Sequence, residues 1–232
     1  MKTKHGLPLF IFAILLTSCG KDPIGSTDGT FKDSRDNHLY KYVKIGTQTW
    51  MAENLAYLPA VNPSEDGSYN EPYYYVYDFQ GNDVAKAKEA LNFQTYGCLY
   101  NWVAAVNACP QGWHLPTDKE WMILEIYLGM SQADAESYWF RYSGAVGRAM
   151  KSTSGWDENG NGDNSSFFDA LPGSRRYASG IFMSLGSHTL FWTGSEDQDS
   201  TAWSRLLYFG ESGVARNPWY KVQGFSVRCL RN

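Results

Sequence analysis

The chain has 232 residues, a length that fits one domain with a short extension and allows a substantial buried core. Its formal net charge is -4 and it contains no run of basic residues, which argues against a nucleic-acid partner. Aromatic residues make up 16% of the chain, a composition that excludes extensive disorder.

The first residues are typical of a lipoprotein signal peptide. Two lysines precede residues 7–16, an apolar stretch that is too short to span a bilayer. This stretch leads into Leu-Thr-Ser-Cys, which resembles the bacterial lipobox, in which the cysteine is lipidated. We therefore predict that residues 1–18 are removed, that Cys19 carries the anchor, and that residues 19–28 contain the lipidated cysteine and a flexible tether. The predicted location is the outer membrane of the cell envelope. The sequence does not decide between its periplasmic face and its surface face.

The first predicted elements of the domain are strands. In "LYKYVKIG" the side chains of residues 39–45 alternate with a period of two, and "QTWMAENL" is a second strand candidate. Residues 57–83 are predicted to be loop because they contain several prolines and glycines and the run Tyr73-Tyr74-Tyr75. In "DVAKAKEAL" the composition favours a helix, with Asp83 as its N-cap.

Helices are predicted for the middle of the chain. In "GCLYNWVAAVNAC" apolar residues recur at i, i+3, i+4 and i+7, which predicts an amphipathic helix over residues 97–109. Thr117 and Glu120 have the spacing of a capping box and predict a second helix that ends at a glycine. Ser131 then begins a third, short helix that we expect to reach about Phe140.

Short strands are predicted for the remainder of the chain. "SHTLFWTGSE", "TAWSRLLYF", "GVARNPWYKV" and "GFSVRCLRN" are strand-like runs separated by turns. Strands first, helices in the middle and strands last predict one α+β domain over residues 29–232. The first and last strands are expected to share one mostly antiparallel sheet.

The segment "ACPQGWHLPTDKEW" concentrates reactive side chains. Cys109 and His114 could belong to a zinc site or a nucleophilic pair, or the segment could be a corner of the core. No further cysteine or histidine stands nearby in the sequence, and Glu120 is explained as a helix cap. The core corner is therefore the favoured interpretation, with the two tryptophans buried.

Three cysteines remain besides Cys19. Cys98 and Cys109 lie on one predicted helix, which would separate them by roughly 16 Å at ~1.5 Å per residue. A disulfide needs Cα atoms within about 7 Å, so these two are not expected to pair. Cys229 is therefore predicted to bond to Cys109 or to Cys98.

Five segments carry a family resemblance: "VKIGTQTWMAENLAY", "CPQGWHLPTDKEW", "FFDALPGSRR", "FWTGSE" and "GFSVRCLRN". Together they resemble the Fibrobacter succinogenes major paralogous domain, which is common in exported lipoproteins. The resemblance covers about residues 29–232 and implies a C-type-lectin-like fold, in which two main helices pack on a sheet that joins both termini, with a long loop region. It also implies that Cys109 pairs with Cys229 and that Cys98 is a free, buried thiol. The family has no established activity.

A calcium loop is one candidate site. In "WDENGNGDN" Asp157, Asn159 and Asn161 have the D-x-N-x-N-G spacing that turns alternate side-chain oxygens inward, with Asp163 as a further ligand. The acid expected at the twelfth position is missing, because Phe168 stands there. A Gly/Asn turn without a metal is the favoured alternative. Calcium is nevertheless the one cofactor that the sequence suggests.

A second candidate site consists of aromatic residues, since exposed rings stack on sugars or peptides. The residues predicted to contact a ligand are Tyr73, Tyr74, Tyr75, Trp219 and Tyr220. The alternative is that these rings pack the loops onto the sheet. Lectins of the resembled fold bind sugar through Glu-Pro-Asn and Trp-Asn-Asp, whereas here Glu71-Pro72 is followed by tyrosine and Trp-Asn-Asp is missing.

The predicted function is a non-catalytic binding or adhesion module, attached to the membrane by lipid and specific for a glycan or an envelope protein. One alternative is an enzyme of the formylglycine-generating type, which the resemblance suggests through architecture alone. Such enzymes need a pair of active-site cysteines, and the predicted pairing leaves only one thiol. Another alternative is a structural subunit of a surface assembly.

Overall fold

The computed structural model describes Met1 and residues 28–232, so the predicted signal peptide, Cys19 and nearly all of the tether lie outside the described residues. The strands are β1 (Gly29–Lys32), β2 (Leu39–Ile45), β3 (Gln48–Met51), β4 (Tyr74–Tyr75), β5 (Leu99–Tyr100), β6 (Trp113–His114), β7 (Trp139–Arg141), β8 (His188–Gln198), β9 (Thr201–Tyr208), β10 (Val214–Tyr220) and β11 (Leu230–Arg231). The α-helices are α1 (Val84–Glu89), α2 (Leu91–Tyr96), α3 (Trp102–Ala105), α4 (Asp118–Tyr127), α5 (Gln132–Glu136) and α6 (Val146–Met150).

The strands of the described chain form three antiparallel sheets. Their orders are β1-β2-β3-β11-β6, β7-β10-β9-β8 and β4-β5. In the first sheet Leu230 of β11 lies between Trp50 of β3 and His114 of β6. The first and last strands therefore share a sheet, and the prediction of an α+β, mostly antiparallel domain is confirmed.

Helix α4 begins where the sequence predicts. The Thr117 hydroxyl accepts a hydrogen bond from the backbone N–H of Glu120, and the Glu120 carboxylate accepts one from the N–H of Thr117 at 2.7 Å. Trp121 and Leu124 on this helix are fully buried. Burial of this apolar face fixes the helix against the sheets.

The helix predicted over residues 97–109 is mostly wrong. Residues 99–100 instead form β5, and the backbone of Tyr100 exchanges two hydrogen bonds with that of Phe225. Only α3 is helical, and it begins after Asn101, whose side chain accepts from the N–H of Ala104 at 3.0 Å. Of the two main helices that the resemblance implies, one is therefore present as α4, and the other is reduced to a single turn.

The third predicted helix is shorter than expected. Ser131 caps α5 as predicted, but the helix ends at Glu136 rather than near Phe140. The chain then enters β7, because the backbone of Trp139 pairs with Arg216 of β10. Pairing with an existing sheet overrides the local preference for helix.

Two hydrophobic cores lie on opposite faces of the second sheet. Leu190 and Trp192 of β8 point into one core, where Trp192 stacks on Phe225 with ring centroids 4.1 Å apart. Phe191, between them in the sequence, points into the other core. That second core is built around the rings of Trp50, Trp121, Phe168 and Phe191.

The structure contains the Cys109–Cys229 disulfide that the resemblance implies, with Cα atoms 5.8 Å apart. Cys98 is buried and unpaired. His114 contacts Asn232 Oδ1 through Nδ1 at 2.7 Å and Glu120 through Nε2 at 3.0 Å. With Cys109 in a disulfide and both tryptophans of the segment buried, "ACPQGWHLPTDKEW" is a corner of the core, as predicted.

Candidate functional site

A cleft of about 520 Å³ opens between the first sheet and the loop that follows α6. Its lining comes from four segments, within residues 38–41, 52–56, 93–97 and 164–171. A concave site with a mixture of apolar and polar groups is the usual form of a small-ligand site. We therefore treat this cleft as the candidate functional site.

A buried arginine fixes the position of two cleft residues. Arg228 is fully buried and donates from Nε to Asn54 Oδ1 at 2.8 Å and from Nη2 to the backbone oxygen of Asp169 at 2.9 Å. Burial lowers the pKa of Arg228 to about 9, which leaves the guanidinium charged at pH 7. The cleft therefore rests on a fixed positive charge.

Backbone conformation on one side of the cleft is unusual. Asn164, Phe167 and Asp169 have φ angles of 48°, 56° and 53°, in the left-handed region that residues other than glycine rarely adopt. The side chains of Asn164 and Asp169 stabilise this turn, since Asn164 Nδ2 donates to Asp169 Oδ1 at 3.1 Å and Asn164 Oδ1 accepts from the N–H of Asp169. Strained positions of this kind concentrate at ligand sites.

Each of two carboxylates in the lining has one oxygen that accepts no hydrogen bond from the protein. Glu53 uses Oε1 to accept from the N–H of Lys41 at 2.6 Å, and Asp169 uses Oδ1 for Asn164. Within residues 28–232, Glu53 Oε2 and Asp169 Oδ2 accept no hydrogen bond. Half-buried rings of the lining, such as Tyr96, provide apolar surface beside them. Acceptors next to rings suit a ligand that carries many hydroxyl groups.

Sequence reasoning did not find this cleft. Its four segments are separated by intervals that range from about ten residues to more than sixty, so no spacing connects them. One local signal does exist: Gly97 adopts a φ of 74°, and a Cβ there would lie 2.8 Å from the backbone oxygen of Leu55. A glycine required by close backbone contact marks a tight corner, but it does not reveal a ligand site.

The predicted aromatic ligand residues do not form one surface. Tyr75 is fully buried, with its hydroxyl donating to the backbone oxygen of Asp66 at 2.8 Å, so its prediction as a ligand contact is wrong. Tyr73 and Tyr74 are half-buried, and the ring of Tyr74 packs edge-on against Tyr100. These rings are held inward because β4 pairs with β5.

The two later aromatic residues differ from each other. Trp219 is half-buried beneath Arg175, whose Cζ lies 4.5 Å from its ring centroid. Tyr220 is 52% exposed at the end of β10. The ligand role of these residues, and of Tyr73 and Tyr74, stays a prediction.

The predicted calcium residues lie in a turn whose oxygens are partly used by the protein. Asn161 Oδ1 accepts from the N–H of Trp156 at 3.0 Å. Asp163 accepts from the N–H of Ser165 and forms an ion pair with Arg148 at 3.2 Å. Asp157 and Asn159 are exposed, and Phe168, at the twelfth position, is fully buried. In the described part of the chain, no three His, Cys, Asp or Glu side chains are grouped to hold a metal ion.

Calcium is therefore expected to leave the melting temperature unchanged. A ligand that binds only the folded state stabilises it by RT ln(1 + [L]/Kd), so a calcium site would make the melting temperature rise with calcium concentration. The measurement is a thermal melt with increasing calcium against a chelator control. A rise that continues with the logarithm of the calcium concentration and that Asp157→Asn abolishes would instead establish the calcium loop.

A sequence model of the Fibrobacter succinogenes major domain matches residues 43–231. The chain belongs to the Fibrobacter succinogenes major domain family. As a member of this family, the chain has its disulfide and most of its cleft within the matched residues, while His38 and Lys41 of the lining precede them. No curated protein and no solved structure matches the chain. Of the residues with described coordinates, none belongs to a helix that could span a membrane.

Proposed function

We propose that the protein is a lipid-anchored, non-catalytic binding module of the cell envelope that recognises a glycan through the cleft. The observation that carries the proposal is a pair of carboxylate oxygens in the lining to which no protein group donates, Glu53 Oε2 and Asp169 Oδ2, next to the rings of the lining. Sugar hydroxyls donate to such acceptors, and the apolar faces of sugar rings pack on aromatic side chains. Neither contact requires calcium.

We further infer that the fold is C-type-lectin-like. Its support is the sheet that joins β1 and β11 and the long irregular segment between α6 and β8. This fold commonly presents ligand sites on such loops, and residues 164–171 supply one wall of the cleft. An experimental structure whose strand order departs from that of the lectin fold would contradict this inference.

The non-catalytic part of the proposal has its own support. Cys98 is the one free cysteine within residues 28–232, and burial raises the pKa of its thiol, which disfavours the nucleophilic thiolate. The other two cysteines there are held in the disulfide. We therefore do not propose a reaction of the formylglycine-generating type, because that reaction uses a pair of cysteines.

A glycan array with the full chain in detergent tests the cleft. Asp169→Asn should weaken binding by about ten-fold, because it replaces a charged acceptor with an amide of the same shape. Asp163→Asn, the same change outside the lining, is the matched control and should bind like the wild type. Binding that is insensitive to Asp169→Asn, or no binding with and without calcium, would overturn the proposed site.

The anchor is tested by cell fractionation. Cys19→Ala should move the protein from the membrane fraction to the soluble periplasmic or medium fraction, because the predicted lipid attachment is lost. Ser18→Ala, which leaves the cysteine in place, is the control. Unchanged membrane fractionation of Cys19→Ala would refute lipid anchoring at this residue.

One observation favours a second function, as a subunit of a surface assembly. Strand β7 is a short edge strand, and Tyr138, Trp139 and Tyr142 around it are each more than half exposed. Exposed apolar groups at a sheet edge suit contact with another protein. If the protein co-purifies stoichiometrically with an envelope protein, Trp139→Ala abolishes that contact, and no glycan binds, this function replaces the glycan proposal.

A further inference from the structure

A second, smaller hollow lies beside the cleft. It has a volume of about 210 Å³, and His38, Ala56 and Phe93 line both the hollow and the cleft. Small-ligand sites ordinarily exceed about 300 Å³, so the hollow is too small to be a site of its own. Because the hollow and the cleft share three residues, they form one groove in which the hollow extends the cleft.

A well-ordered turn forms one wall of the hollow. This wall is the turn between β1 and β2, where the N–H of Asn37 donates to the backbone oxygen of Asp33 at 2.8 Å. The N–H of His38 donates to Asp36 Oδ1 at 3.0 Å, and the His38 ring packs on that of Tyr40 with centroids 4.3 Å apart. The protein's own contacts therefore fix the shape of this wall, as is usual for small-ligand sites.

The hollow repeats the chemistry of the cleft. Asp36 Oδ2 accepts no hydrogen bond within residues 28–232, and the half-buried ring of Phe93 belongs to the same lining. The opposite wall adds a donor, since half-buried Lys88 near the end of α1 makes no hydrogen bond or ion pair in the described chain. The cleft likewise has carboxylate oxygens to which no protein group donates, next to half-buried rings. Two neighbouring subsites with the same kinds of groups suit a ligand that is built from repeated units.

We propose that the groove binds a linear oligosaccharide, with at least one sugar unit in the cleft and a further unit in the hollow. This inference rests on the proposed glycan function of the cleft and specifies the ligand as a chain rather than a single sugar. The ring of Phe93, which lines both subsites, packs on the apolar face of a sugar. Asp36 accepts from the hydroxyls of the outer unit, and Lys88 donates to them.

Isothermal titration of the full chain in detergent micelles tests the length of the ligand. The probes are three uncharged series of one to four units, namely cello-, malto- and N-acetylchito-oligosaccharides. In at least one series the affinity should rise by about ten-fold or more as units are added, because the outer unit gains hydrogen bonds and a ring contact in the hollow. Asp169→Asn, which changes the cleft and not the hollow, should weaken the binding of every length.

Two lysines of α1 provide a matched pair of variants. Lys88→Ala should lower the affinity for the longer members about ten-fold and leave that for the single sugar unchanged, because Lys88 lines only the hollow. Lys86→Ala removes an exposed lysine that lies 3.8 Å from Asp83 and lines neither subsite, so it should change neither affinity. Alanine is the residue most favourable to a helix, so both variants should fold.

The outcomes separate this inference from the function on which it rests. Equal affinity for one and four units, or equal effects of Lys88→Ala and Lys86→Ala, would overturn the extended ligand, while weakening by Asp169→Asn would still support a glycan site in the cleft. Length-dependent binding that Lys88→Ala weakens and Asp169→Asn does not would contradict a groove that joins the two subsites. If no member of the three series bound, both the inference and the glycan function would be overturned.

Discussion

Replacing Glu125 with glutamine will lower the free energy of unfolding by about 3–5 kcal/mol. Glu125 is fully buried in α4, where its carboxylate accepts from Arg141 at 2.7 and 2.8 Å and from Arg205 Nε at 2.7 Å. Glutamine has the same shape, but it presents an uncharged amide to two buried guanidinium groups. The cost arises because buried Arg141 loses its acidic partner and buried Arg205 keeps only Asp118.

The same network continues through Asp118, the first residue of α4. Arg205 and Arg216 both pair with its carboxylate at 2.7 Å. Burial alone would raise the pKa of Asp118, but the hydrogen bonds and charges of these two arginines outweigh burial, so the pKa lies below its ordinary value of 3.8. The ionised form is thus stabilised by folding, which supports the view that the network needs its negative charges.

Urea denaturation of the oxidised protein measures the Glu125 effect. Glu136→Gln is the matched control, because Glu136 is exposed and contacts only the side chain of Gln132 through its carboxylate. Its effect should stay within about 0.5 kcal/mol. If Glu125→Gln were as mild as the control, the buried network would contribute little to stability.

Local patterns predicted the elements whose structure is decided locally. The capping box at Thr117 and the alternation in residues 39–45 correspond to α4 and β2 as expected. The helical spacing in residues 97–109 predicted a helix that is mostly absent, because the apolar side chains there are buried for another reason. The backbone of Tyr100 pairs with that of Phe225, more than a hundred residues later in the sequence. Periodicity records which side chains are buried, and it does not identify their partners.

The surroundings of individual side chains, and therefore the candidate sites, were beyond sequence reasoning for a related physical cause. Whether an arginine has an acceptor depends on distant segments: Arg176 donates to the backbone oxygens of Ser64 and Val222, whereas adjacent Arg175 meets only rings and shielded space. Both residues are arginines, and their contacts differ because successive side chains point to opposite sides of an extended segment. Tyr75, predicted to be a ligand contact, is likewise buried, packed beneath Arg176.

The second large effect is expected at the disulfide. Cys229→Ser should lower the free energy of unfolding by roughly 2–5 kcal/mol, since the bond closes a long loop and thereby restricts the unfolded chain. Cys109 and Cys229 are 120 residues apart in the sequence. Cys229 is also fully buried next to β11, and its backbone oxygen accepts from the N–H of Met51 at 3.0 Å. A serine hydroxyl at this position would add the cost of a buried polar group.

Reduction of the protein separates the bond from the side-chain change. A thiol reductant should lower the melting temperature of the wild type, and it should have no effect on the double variant Cys109→Ser/Cys229→Ser, which has no bond to lose. Because Cys98 is buried and unpaired, it should not contribute to the reductant effect, and Cys98→Ala should respond to reductant as the wild type does. Equal melting temperatures for oxidised and reduced wild type, with reduction verified by thiol labelling of the unfolded chain, would show that the bond adds no stability. In that case the pairing of β11 with β3 and β6 would by itself hold the C-terminal strand in the first sheet.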